Sequence, residues 1–231
     1  IRNRPTVSKA VPDILTLPQQ FRSHGYHTVS LGKIYHGPGD DKIGWSEPPV
    51  RPKGGYVLPA NVKAMAAYVR GLAEGKDRPR GPVVEAADVP DDAYSDGKVA
   101  NLAVKALQRI KGRSFFLATG FSKPHMPFAC PKKYWDMYER RTFEDNDWPA
   151  LNRPKEGPDI ALHNWKELRG YTDMPNIGAV PPEKAAEVRP GYYDAVSYTD
   201  AQTGNLLGAL ESVGLRETTS ALPRCDHGFH R

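Results

Sequence analysis

Lys33 and His36 stand three apart in Gly32-Lys33-Ile34-Tyr35-His36, directly after an apolar run, and Lys123 and His125 flank Pro124 directly after another. An ammonium is a point charge for an anionic oxygen, and an imidazole donates a hydrogen bond or moves a proton near neutral pH. Pro124 has a fixed φ and holds Lys123 extended, so that loop presents its side chains in a restricted geometry. Near the end of the chain, Asp226-His227-Gly228 sets a carboxylate beside an imidazole, donors that suit calcium or magnesium. Plainer readings stand beside these: a solvated lysine with a loop histidine for the first string, and a histidine packed under a turn for the second.

Other reactive groups have less company. Cys130 precedes Pro131-Lys132-Lys133; a lysine neighbour lowers a thiol pKa, but no activating histidine is evident, and the cysteine reads as a filler before a helix. Asp40-Asp41 and Asp91-Asp92 read as solvated turns. His24, His27 and His163 read as structural or exposed.

The elements that must position these groups follow from periodicity and punctuation. Thr16 and Pro18 open a helix from about Leu17 to His24, stopped by Gly25. The β-formers from Tyr26 to Leu31 predict a strand ending at Gly32. Gly37 to Tyr94 is dense in Pro, Gly and charge and reads as a surface excursion with a short helix from Asn61 to Leu72. A clearer helix opens at Ser95, with Val99, Leu102, Ala103, Ala106, Leu107 and Ile110 on one face. Ser114 to Gly120 then reads as a buried strand of a parallel sheet. A short helix is expected from Pro131 to Tyr138, a second irregular excursion from Glu139 to Glu183, and a long helix from Arg189 to Val213, stopped by Gly214. Thr218 to Cys225 is expected as the strand that delivers Asp226. The class is α/β, with lysines and histidines at strand ends, where open α/β sheets build anion sites.

The 231 residues are enough for one large α/β domain or two small ones, and 39% apolar content supplies a core. The net charge of +5, spread along the chain, favours acidic small molecules or polyanions. No finger, RNA-stacking module or basic helix supports nucleic acid as a partner, and no run approaches a membrane span. The two cysteines, Cys130 and Cys225, form no Cys-x-x-Cys pair and say little about compartment. Ile1-Arg2-Asn3-Arg4-Pro5 carries neither an initiator Met nor a signal-peptide pattern, and the chain reads as a fragment.

Taken in order, Gly32 to His36, Phe115 to Phe128, Tyr192 to Asp200 and Asp226-His227-Gly228 resemble the type I sulfatases, in particular the iduronate-2-sulfatase-like branch. The resemblance implies an alkaline-phosphatase-like α/β fold, with residues 1–231 as a partial catalytic domain lacking the smaller C-terminal one. It implies a calcium-dependent hydrolase of sulfuric esters acting on a sulfated sugar or polysaccharide. Lys33 and His36 would contact a formylglycine nucleophile and the sulfate, His125 would bind or protonate the departing ester oxygen, Lys123 would bind substrate, and Asp226 and His227 would hold calcium. Family members are usually exported or lysosomal. Formylglycine is made from a Cys-x-Pro-Ser-Arg motif, which does not occur in the chain, and the stretch before Asp226 carries Pro223 and Arg224 where the family has an apolar strand. The expectation is therefore a fragment without turnover of its own. Two rivals remain: a phosphodiesterase or phosphonate hydrolase of the same superfamily, and a non-catalytic module for sulfated polysaccharide.

Overall fold

Two apolar runs that each end in glycine become neighbouring parallel strands. The structure, a computed structural model, describes residues 11, 13–35, 41, 43–75, 80–139, 167–178 and 180–225. These fall into two compact units; the first takes in residues 1–54, 91–122 and 199–219, the second 55–90, 123–198 and 220–231.

In the first unit, α1 (Leu17–Ser23) starts as its sequence dictates. The Thr16 hydroxyl accepts from the Gln19 N–H while the Gln19 side chain accepts from the Thr16 N–H, a capping box that satisfies two donors a helix leaves open. Gly25 follows with φ +82°, and β1 (His27–Gly32) begins. β1 pairs in parallel with β3 (Phe115–Gly120), His27 opposite Phe115 and Gly32 opposite Gly120. Along its other side, β1 takes backbone hydrogen bonds from Ser46 and Val50. Between β1 and β3 runs α3 (Ser95–Ile110), whose Val99, Ala103, Ala106 and Ile110 pack on Val29 and Leu31. Leu206, on the long final helix, packs against the same cluster.

The second unit holds a second pair of parallel strands, β2 (Val84–Ala87) and β4 (Phe128–Pro131), with Val84 opposite Phe128. Helix α2 (Pro59–Ala73) has no cap of its own; the buried Glu85 carboxylate of β2 accepts from the Val57 and Leu58 N–H groups and the Asn61 amide at its N-terminus. A carboxylate there satisfies orphan donors and opposes the positive end of the helix dipole. A short helix, α4 (Lys132–Trp135), follows β4. Helix α5 (Pro182–Ser212) continues through Pro190, and its Ala195 and Tyr192 pack with Val83, Phe128, Tyr171 and Met174.

Several expectations need correction. The stretch from Gly37 to Tyr94 is not all surface: it supplies β2, and Val83 and Tyr94 are fully buried. No strand forms over 219–225, where residues 220–225 lie exposed; Pro223 cannot donate to a ladder and the run offers little apolar surface to bury. β3 is parallel as expected but half-buried rather than buried. Asp41 is not a solvated turn residue: it is 6% exposed and accepts hydrogen bonds from Thr16, Gln19 and Tyr35. Asp91 likewise accepts from the buried Gln202 amide. Among the described residues no helix is long and apolar enough to cross a membrane.

Candidate active site

The register of β1 against β3 decides where Lys33 goes. Gly32 and Gly120 face each other at the carboxyl ends of the two strands, and the Lys33 N–H donates to the Gly120 carbonyl at 2.8 Å. The approach leaves no room for side chains: a Cβ on Gly32 would lie 2.1 Å from the Gly120 oxygen, and one on Gly120 would lie 2.1 Å from the Lys33 oxygen. Lys33, half-buried, therefore leaves the sheet at the same edge as Phe121 and Ser122. The buried Asp96, in the first turn of α3, fixes that edge by accepting from the Ser122 N–H at 2.9 Å. His36 lies outside the described residues.

In the second unit, Lys123 and His125 sit on a loop with cis peptide bonds at Lys123-Pro124 and Met126-Pro127. Lys123 is 8% exposed, and its ammonium donates to the carbonyls of Pro127 and His125, which ties the loop to itself. The His125 imidazole is more open, its Nε2 3.6 Å from Glu167 Oε1. That oxygen also accepts from Arg80 Nη1 at 2.8 Å. The Arg80 guanidinium lies 5.1 Å from the ring centre of Tyr68 and 5.7 Å from that of Tyr171, within cation–π range. Burial works against the Arg80 charge, but hydrogen bonds to Glu167 and Tyr171 outweigh it and hold the pKa above the usual arginine value. Burial, opposed by Arg80, pushes the Tyr171 phenol up to about 12.

Sequence reasoning missed Arg80, Glu167 and Tyr171 because all three lie in stretches read as irregular excursions. The chain offers Arg78-Pro79-Arg80-Gly81-Pro82 as a signal of punctuation, not of partners 87 residues away. Asp226 and His227 lie outside the described residues. Among the described residues no three His, Cys, Asp or Glu gather as a metal cluster. Cys130 is buried in β4, as a filler should be, and Cys225 is exposed. His27 is paired rather than free, with Arg113 Nη1 3.3 Å from its Nδ1 and Glu47 3.9 Å from its Nε2. His24 is exposed, and His163 lies outside the described residues.

The first unit offers a half-buried lysine at a strand edge, and the second, by itself, an imidazole beside a carboxylate on a loop tied by Lys123; each group suits an anionic ester. The sulfatase family model matches residues 6–231. Iduronate 2-sulfatase of Mus musculus is 31% identical over 229 residues, 93% of this chain and 40% of that protein. A sulfatase of Formosa agariphila is 25% identical over 96% of this chain and 43% of its own length. The chain thus spans about 40% of the curated relatives it matches. In fold it resembles the phosphonate monoester hydrolase of Agrobacterium radiobacter, with a TM-score of 0.54 and 19% identity over 87% of this chain and 45% of the other.

Proposed function

The chain belongs to the sulfatase family, and from that premise we propose that it forms part of a hydrolase of sulfuric esters, acting on a sulfated carbohydrate. The observation that carries the reading is the His125 imidazole beside Glu167 on a loop braced by Lys123. As an oxygen nucleophile bonds to sulfur, the S–O bond to the sugar breaks and its electron pair goes to the ester oxygen; the His125 imidazolium is suited to give that oxygen a proton, becoming neutral imidazole. Lys33 is proposed to neutralise a sulfate oxygen from the sheet edge, His36 to bind beside it, and Lys123 to add positive charge under the loop.

Formylglycine as nucleophile and calcium held by Asp226 and His227 are part of the proposal through the family resemblance alone. Calcium there would neutralise sulfate charge; among the described residues no group of three His, Cys, Asp or Glu gathers to hold a metal. An exported location is proposed on the same resemblance.

The test is to assay the chain, alone and in the full reading frame that encodes it, against an aryl sulfate and the matching aryl phosphate, with calorimetric binding of a sulfated disaccharide. We expect sulfate-selective binding that Lys33→Ala and His125→Ala each weaken about tenfold or more, the scale of one lost charge-assisted contact. Preference for phosphate would establish the phosphodiesterase alternative instead. Salt-sensitive binding indifferent to both substitutions would leave a polysaccharide-binding module.

A further inference from the structure

We propose that Glu167 is a positioning residue for His125, and that Arg80 holds Glu167 in place to do it. The inference rests on the proposed role of His125 as proton donor and adds the residues that keep the imidazole loaded and aimed. Three observations carry it, all within the second unit.

First, the carboxylate is shared. Glu167 Oε1 stands 3.6 Å from His125 Nε2 and 2.8 Å from Arg80 Nη1. A distance of 3.6 Å is beyond a good hydrogen bond, so the contact acts chiefly when the ring is charged, as an ion pair favouring imidazolium.

Second, Arg80 is held through both its backbone and its guanidinium. Its N–H donates to the Gly170 carbonyl at 2.8 Å, and the Thr172 N–H donates to the Gly81 carbonyl at 2.9 Å. These two bonds stitch Arg80 and Gly81 to the segment that carries Glu167. The guanidinium is seated by the rings of Tyr68 and Tyr171, and a guanidinium does not lose its proton in the working range.

Third, the histidine's own loop is rigid. Lys123 donates to the carbonyls of His125 and Pro127, which fixes the backbone while leaving the His125 side chain 38% exposed. Among the described residues, the charged groups on this side of the molecule include the anion Glu167 beside the ring, the cation Arg80 on the same carboxylate oxygen, and Lys123 on the loop backbone. A carboxylate free to swing would turn toward solvent or Arg80 alone; fixed, it keeps one oxygen beside the imidazole Nε2.

The experiment follows the His125 ring signals by NMR through a pH titration of the 231-residue chain and its variants Glu167→Gln, Glu167→Asp and Arg80→Met. Glu167→Gln is expected to move the midpoint to lower pH, Glu167→Asp to restore part of the shift, and Arg80→Met to move it in the same direction as Glu167→Gln, because the carboxylate has lost its anchor. An unmoved midpoint in Glu167→Gln overturns the proposal. So does a rise in Arg80→Met, the sign expected if the guanidinium merely repels the imidazolium. If Arg80→Met fails to fold, the near-isosteric Glu167→Gln and Glu167→Asp pair decides. The readout needs no turnover, so it separates from the functional reading. A shifted midpoint without sulfate-ester binding overturns the sulfatase reading alone, and sulfate-ester binding with an unmoved midpoint overturns the positioning role alone.

Discussion

Lys184 Nζ reaches Asp173 at 2.6 Å and Glu187 at 2.7 Å, while the other Asp173 oxygen accepts from the Val83 N–H at 2.9 Å. Burial disfavours the ammonium, but the two carboxylates outweigh that and hold its pKa above the ordinary 10.5. A group raised in this way contributes stability that is complete below its unfolded value and is lost as pH climbs through its folded value. Lys184→Met should therefore be less stable than the parent in urea at pH 8, and the gap should close only above about 10.5. A gap that closes on acidification instead would contradict the assignment. Tyr171 has the same sign from another cause, since burial resists the phenolate. Tyrosinate absorbance should show a component rising near 12 that Tyr171→Phe removes.

At the scale of elements, the strand ends depend on two glycines for different reasons. Gly32 needs its φ of +80°, which other residues adopt at a cost, as well as the absence of a Cβ beside the Gly120 oxygen, whereas Gly120 needs only the absence of a Cβ beside the Lys33 carbonyl. Gly120→Ala should cost about 1–3 kcal/mol, the usual range for overpacking against atoms that cannot give way, and lower Tm by several degrees. Gly208, in the exposed interior of α5, has nothing within 4 Å of a built Cβ. Gly208→Ala should raise stability by up to about 1 kcal/mol through helix propensity. Thermal unfolding of the two variants checks both signs at once; a neutral Gly120→Ala would mean that the edge at Lys33 is not tightly closed.

For the molecule as a whole, each unit has its own apolar cluster and its own parallel strand pair. Backbone hydrogen bonds buried in such clusters open with free energies near that of global unfolding, while exposed segments without a ladder open freely. Hydrogen exchange should thus be slow over 28–31 and 99–110 and fast over 219–225. Slow exchange over 219–225 would restore the strand that the sequence suggested before Asp226. Net charge of +5 adds a sequence-independent attraction to sulfated polymers that falls as salt rises, so binding tests of Lys33 and His125 belong at near-physiological ionic strength.

What the sequence by itself determined is what short-range physics determines. The Thr16 cap, the glycine stop at Gly25, the apolar face of α3 and the strand character of β1 and β3 all depend on residues a few positions apart, and periodicity and punctuation expose them. The ordered strings around Lys33 and His125 likewise pointed to the sulfatase family without a structure. Only the tertiary structure decided the rest. β2 hides because Glu85 interrupts its apolar pattern, and its charge is answered by the start of α2, 24 to 28 residues earlier. Arg80 and Glu167 hide because their pairing spans 87 residues of chain, and no local propensity reports a contact made by closing so long a loop.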